Sequence, residues 1–158
     1  MVLCFAALVS VITLSGQNGG DHQRRAAQRR VVALRSLSLA FPKVRWESKS
    51  IVDGDIACDG LSDQAFLGHR NDRVCVGLVR AADQKPQLLE FGTGADRQDA
   101  ICEGPGKLGS EALDYDLDRV KGFRRSHVCK GLILSGGDCD PIHIFWNPAT
   151  RSLNWWRN

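Results

Sequence analysis

The chain lacks most of the features that announce an enzyme. It has no Gly-x-Ser-x-Gly elbow, no His-Glu-x-x-His helix, no Walker phosphate loop and no Cys-Gly-x-Cys-Trp run, which excludes the common local signatures of serine hydrolases, zinc proteases, P-loop nucleotidases and papain-like proteases. Histidine is scarce: there are four, and His22 lies in a basic N-terminal arm, leaving His69, His127 and His143. No two cysteines form Cys-x-x-Cys, and the intervals of 17, 27, 27 and 10 from Cys58 through Cys75, Cys102 and Cys129 to Cys139 fit no zinc pattern. The one strongly apolar run, Met1–Leu14, carries no charge but falls short of the roughly 20 residues of a membrane-spanning helix. Basic and aromatic residues are not interleaved on the body of the chain, and no low-complexity segment follows residue 20, so a nucleic-acid partner is not expected.

That apolar run has the length of a signal-peptide core and is followed by Ser15, Gly16 and polar Gln17–Gly20. It has no basic stretch before it, and its arginines follow it. Export to the periplasm or outside the cell is the expectation. The alternative is a membrane segment with its C-terminal side inside, by the positive-inside rule. Leu14-Ser15-Gly16 resembles the lead-in to a lipoprotein cleavage site, but Gln17 stands where the lipidated cysteine is needed, so no lipid anchor is expected. Charge divides the remainder. Residues 21–49 hold eight Lys/Arg against two acids, and residues 50–158 hold thirteen against sixteen. The organisation expected is a signal peptide or membrane segment at 1–16, a basic arm with an amphipathic helix at 17–43, and a disulfide-containing β-rich domain at 44–158. Any membrane contact is expected through residues 1–30.

In an exported chain, five cysteines beyond Cys4 read as two disulfides and one leftover thiol. Cys58, Cys102, Cys129 and Cys139 flank loops and turns and are the disulfide candidates, with connectivity open. Cys75 lies in the apolar run Val74–Val79, where a thiol serves as a small apolar side chain.

Asp21–Leu39 has helical spacing of its apolar residues, with Asp21 as cap and Phe41-Pro42 as stop. After Trp46, short apolar runs between Gly, Asp, Asn and Pro clusters predict strands near 44–49, 64–68, 73–80, 87–92, 107–113, 128–134, 142–146 and 153–157. Hairpin turns are predicted at Arg70-Asn71-Asp72 and at Asn147–Thr150, and one helical turn at Ala95–Ile101. Asp114, Asp116 and Asp118 read as a strand with one wet face, paired with Arg119 and Arg124. Gly104–Gly109 matches G-x-G-x-x-G in letters but lacks the surrounding βαβ unit and reads as a glycine-rich connection. The fold class predicted is α+β: an N-terminal amphipathic helix packed on one antiparallel sheet of six to eight short strands, stapled by disulfides.

The most patterned run is Gly54–Gly68. Asp55, Asp59 and Asp63 stand at every fourth position, with Gly60 supplying a sharp turn. It resembles an FG-GAP or VCBS repeat, whose loop runs Asp-x-Asn-x-Asp-Gly-x-x-Asp into a strand, and the resemblance covers about residues 54–79. It implies a cation-holding loop with Asp55, Asp59 and Asp63 as ligands, and Asp53 or water filling in where Ala57 supplies none. Ca²⁺, weakly held, is the only cofactor it implies.

Two further constellations carry chemistry. Cys75 with His143 is a nucleophile–base pair on paper, although a thiol inside an apolar strand is inert, and no catalytic residue is assigned. Trp146, Trp155 and Trp156 crowd the C-terminal hairpin. Strand alternation sends one of the adjacent pair inward and one outward. The expectation is that the helix covers the outer face so that both fill core, the alternative being that the outward tryptophan serves as a binding anchor. The function expected is a small exported interaction module, acting as an envelope adaptor, inhibitor or immunity-type protein on an unknown protein or envelope component. The alternatives are a small hydrolase using Cys75 and His143 or a cation at the Asp55–Asp63 loop, and a structural envelope protein.

Overall fold

The computed structural model describes residues 18–158. The apolar run, Cys4 and the cleavage region lie outside the described residues. The chain runs as helix α1 (Asn18–Ala40) and strands β1 (Arg45–Gly54), β2 (Asp63–Arg70), β3 (Arg73–Val79), β4 (Pro86–Thr93), β5 (Ala100–Ile101), β6 (Lys107–Leu113), β7 (Ser126–Ser135), β8 (Ile142–Asn147) and β9 (Ser152–Trp156). These strands form two sheets, in the orders β1-β2-β3-β4-β5 and β6-β7-β8-β9. All neighbours are antiparallel except β4 and β5.

The α+β expectation of a helix on one sheet is therefore corrected. The molecule is mostly β, a two-sheet sandwich with one helix outside it. The physical reason is that apolar alternation reports which face of each strand is buried, not which strands share a sheet. Ala65 and Leu67 of β2, Val74, Val76 and Leu78 of β3 and Phe91 of β4 meet Leu132 and Leu134 of β7, Ile142, Ile144 and Trp146 of β8 and Leu153 of β9 in one core. Gln87 of β4 joins the sheets by hydrogen bonds, donating from Nε2 to the Arg151 carbonyl and accepting the Leu153 N–H at Oε1.

α1 covers only the outer face of the five-stranded sheet. Ala33 and Leu37 are buried with Phe66 and Val79, and Leu34, Phe41, Trp46 and Ile51 pack around them. The contact is close because two strand positions there have no side chain. A Cβ on Gly77 would lie 2.7 Å from Trp46 Cζ3 and 2.8 Å from Leu37 Cδ2, and one on Gly68 would lie 2.7 Å from Trp46 Cε3.

The outer face of the four-stranded sheet is covered differently, by the segment between β6 and β7. Tyr115 and Phe123 stack on each other at 5.3 Å, and Phe123 meets the Phe145 ring edge-on at 5.4 Å. The acid ladder thus lies in a loop, not a strand, and Asp116 pairs with Arg125 at 2.8 Å. Ala95–Ile101 is not a helical turn either. It runs irregularly into β5, whose two residues are buried.

Cys58 pairs with Cys129 and Cys102 with Cys139, with Cα separations of 5.2 and 5.6 Å. Cys75 is free and buried. The first bridge ties the β1–β2 loop to β7, and the second ties the β5–β6 loop to the β7–β8 loop, so each joins the two halves of the sandwich. Closing loops of 71 and 37 residues contributes about 4 kcal/mol each in the chain-entropy picture.

Candidate functional site

The Asp55–Asp63 loop folds around its own backbone. Asp55 accepts the Asp59 N–H at Oδ1 and the Gly60 N–H at Oδ2, both at 3.0 Å. Asp63 is fully buried, and its carboxylate accepts three N–H groups, from Ala57 at 2.8 Å, Ile56 at 3.2 Å and Ala81 at 2.8 Å. Burial pushes its carboxyl above the ordinary value, and the Ala81 and Ala57 N–H groups pull it back. Asp59 caps Leu61 N–H at 3.1 Å and pairs with Arg80 at 2.9 Å. Asp53, on β1, points elsewhere, to Gln64 Nε2 at 2.8 Å and Arg30 at 2.9 Å. Among the described residues no group of three or more His, Cys, Asp or Glu is gathered as metal ligands. Loops of this kind use Asp as a stand-in for the backbone carbonyls that a tight turn leaves out.

Cys75 and His143 are not brought together. Their strand neighbours, Val74 and Val76 for one and Ile142 and Ile144 for the other, all point into the shared core. Alternation therefore sends the two side chains to opposite outer faces of the sandwich. Cys75 donates to Glu90 Oε1 at 3.7 Å. Burial first, and then the Glu90 charge, push its thiol up to about 11.

His143 sits in a polar-aromatic cluster that its strand alone does not reveal. Its Nδ1–H donates to Glu111 Oε2 at 2.8 Å, and Glu111 Oε1 accepts the Tyr115 hydroxyl at 3.2 Å. The imidazole stacks on Trp156 at 4.2 Å and 10°. Burial and then the Glu111 charge hold the Tyr115 hydroxyl well above its ordinary range. A carboxylate oxygen accepts, so this bond takes its proton from Nδ1. The pair has the orientation of a carboxylate and a general base, but the aromatic loop that holds it also covers it.

The three C-terminal tryptophans are absorbed into the fold. Trp146 is buried under the Arg80 guanidinium, whose carbon lies 4.7 Å above the ring. Trp155 faces the core and meets Phe91 edge-on at 5.8 Å. Trp156 faces outward but lies beneath Tyr115 and against His143. The outer face expected to be covered by the helix is covered by the 114–125 loop.

What remains in water is the far side of α1. Val31, Val32 and Leu39 are 61%, 48% and 74% exposed, and Arg24, Arg25, Arg29 and Arg35 are exposed around them. Beside this helix a groove of 140 Å³ opens between Gln28, Arg29 and Val32 and the Val79–Ala81 end of β3. Helical spacing alone does not separate Val31 from the buried Ala33 and Leu37. No protein-family model, curated protein or solved structure matches the chain. No helix among the described residues is long and apolar enough to cross a membrane.

Proposed function

We propose that the chain is an exported binding module, periplasmic or secreted, which engages its partner through the outward face of α1. The observation that carries the reading is that exposed face. The helix uses Ala33 and Leu37 to hold the sandwich and leaves apolar and cationic side chains together in water on the opposite side. Large apolar side chains grouped in water on a folded domain are the usual mark of a contact surface. Two cysteine pairs at bonding distance support an oxidising compartment. The FG-GAP-like loop belongs to this reading as a scaffold that leads into the β2–β3 hairpin.

A photo-reactive residue at Val31, with one at Ser48 as control, tests the reading in cells. A discrete adduct is expected at Val31 in the exported fraction. No adduct above the Ser48 control would leave the alternative of a structural envelope protein.

A further inference from the structure

We infer that the outward face of α1 lies on a bilayer carrying anionic headgroups. The inference rests on the reading of that face as the contact surface and names its occupant. Arg24, Gln28, Val31, Val32, Arg35 and Leu39 fall at i, i+4, i+7, i+8, i+11 and i+15, and a helix of 3.6 residues per turn brings them to one side. The opposite stripe is Ala26, Arg30, Ala33 and Leu37, of which Ala33 and Leu37 are buried and Arg30 is paired with Asp53.

The chemistry of the outward stripe is shallow and cationic. Its exposed apolar groups are two valines and a leucine, three of the five large apolar residues that stand exposed among the described residues. Such a stripe has no aromatic or deep anchor of the kind that fills a protein groove. Arg24 and Arg35 of this stripe, and Arg25 and Arg29 on its flank, make no ion pair among the described residues. The one acid of the helix is Asp21, in its first turn, where the helix dipole favours a negative charge. Apolar side chains that enter the headgroup boundary, with guanidinium groups reaching phosphates on long apolar stems, make an interfacial helix.

Two further observations point to lipid over an acidic protein. Only Ser15, Gly16 and Gln17 separate the uncharged run Met1–Leu14 from the start of α1 at Asn18. The longest apolar stretch of the sequence and the unpaired arginines thus lie at the same end of the chain. The charge division also orients the domain. The arm at 21–49 has an excess of basic residues and the body at 50–158 an excess of acids, so an anionic surface attracts one and repels the other.

The test is flotation of the full chain with vesicles of phosphatidylcholine alone and of phosphatidylcholine mixed with phosphatidylglycerol. The readout is the ratio of the two partition constants, because the apolar run contributes to both. A preference for phosphatidylglycerol vesicles is expected. R24Q/R25Q/R35Q should lower binding to them about a hundredfold, since each arginine near such a surface is worth about 1 kcal/mol. All three positions are exposed, so an unchanged melting temperature shows that the variant is folded. Equal partition into both vesicles, or a triple variant that keeps the preference, overturns the inference. So does arginine-dependent capture on immobilised polyglutamate without any vesicle preference, which assigns the face to an acidic protein. A protein adduct at Val31 without lipid preference removes the lipid and keeps the contact face, whereas absence of both removes both.

Discussion

Arg80 lies over the ring of Trp146 and, at the same time, grips two carboxylates. Its guanidinium carbon is 4.7 Å from the ring centroid, Nη2 reaches Asp59 at 2.9 Å and Nη1 reaches Asp83 at 2.8 Å. The residue follows β3, its ring partner is on β8, and Asp59 belongs to the loop before β2. One cation therefore fastens both sheets and the aspartate loop. Its side chain is 10% exposed, so little water competes for it.

Arg80→Leu is expected to cost about 2–3 kcal/mol. That is less than the full cost of orphaning a buried charge, because Asp59 and Asp83 keep some contact with water, and it includes the lost ring contact. Arg80→Lys keeps the charge without the fork and should lose about half as much. Urea unfolding measures both. A loss for Arg80→Leu inside 0.5 kcal/mol would mean that the triad is decorative.

Gly77→Ala should loosen α1 from the sandwich. The added methyl would press on Trp46 and Leu37, an overpacking cost of about 1–3 kcal/mol. Limited proteolysis is expected to cut α1 faster in this variant. Gly54→Ala is the control, since its nearest neighbours are the atoms of the Lys130 side chain, starting at 3.4 Å. Equal cleavage in both variants would refute the role assigned to the glycine.

Cys75 should resist alkylation until denaturant is added, while peptide mapping without reductant recovers the Cys58–Cys129 and Cys102–Cys139 pairs. Its raised pKa also sets a pH dependence. The thiol ionises near 9 when unfolded and near 11 when folded, so between those values the unfolded chain holds fewer protons than the native one. Stability then falls as pH rises from 9 to 11, by about 2–3 kcal/mol from this group. Cys75→Ala should remove that part of the alkaline loss and leave the part due to Tyr115. Fast labelling in native buffer would contradict the burial argument.

Millimolar calcium is expected to leave the melting temperature within about 1 °C of the value in chelator. An ion at the loop would have to displace the amide N–H groups that Asp55 and Asp63 already accept. Asp63→Ala, by contrast, orphans three N–H groups and should cost about 3 kcal/mol or more. A rise of several degrees with calcium, lost in Asp59→Ala, would show that the loop re-forms around a cation.

The elements were more legible than their assembly. Val74-Cys75-Val76-Gly77-Leu78-Val79 reads as a strand from composition and from its turn at Asn71. α1 reads from its apolar spacing and its proline stop, although it starts at Asn18, so that Asp21 lies inside the first turn and is not its cap. Sheet membership was not legible, because Leu67 and Leu132 look alike in sequence and only their meeting defines two layers. β5 escaped notice because two residues carry no periodicity. The four bridging cysteines could be picked out from their loops, but their pairing depends on which loops the sandwich brings together. Alternation with Ile142 and Ile144 turns His143 to the outer face, where sequence alone would leave it in solvent, but the loop bearing Tyr115 covers it and leaves its side chain 15% exposed. Its partner Glu111 lies 32 positions away, on β6, and β6 and β8 flank opposite sides of β7. No local pattern encodes that meeting.

The two cysteine bridges interleave, since Cys102 lies between Cys58 and Cys129, and Cys129 between Cys102 and Cys139. Any single cut of the chain from residue 58 to residue 139 is therefore spanned by at least one bridge, and the fragments stay joined. Only what lies outside that ring can be severed outright: α1 and β1 on one side, β8 and β9 on the other. In a protease-rich milieu, a single clip between residues 58 and 139 would leave strands β2 to β7 covalently in one piece. The cationic helix is one of the two parts that a single clip could set free.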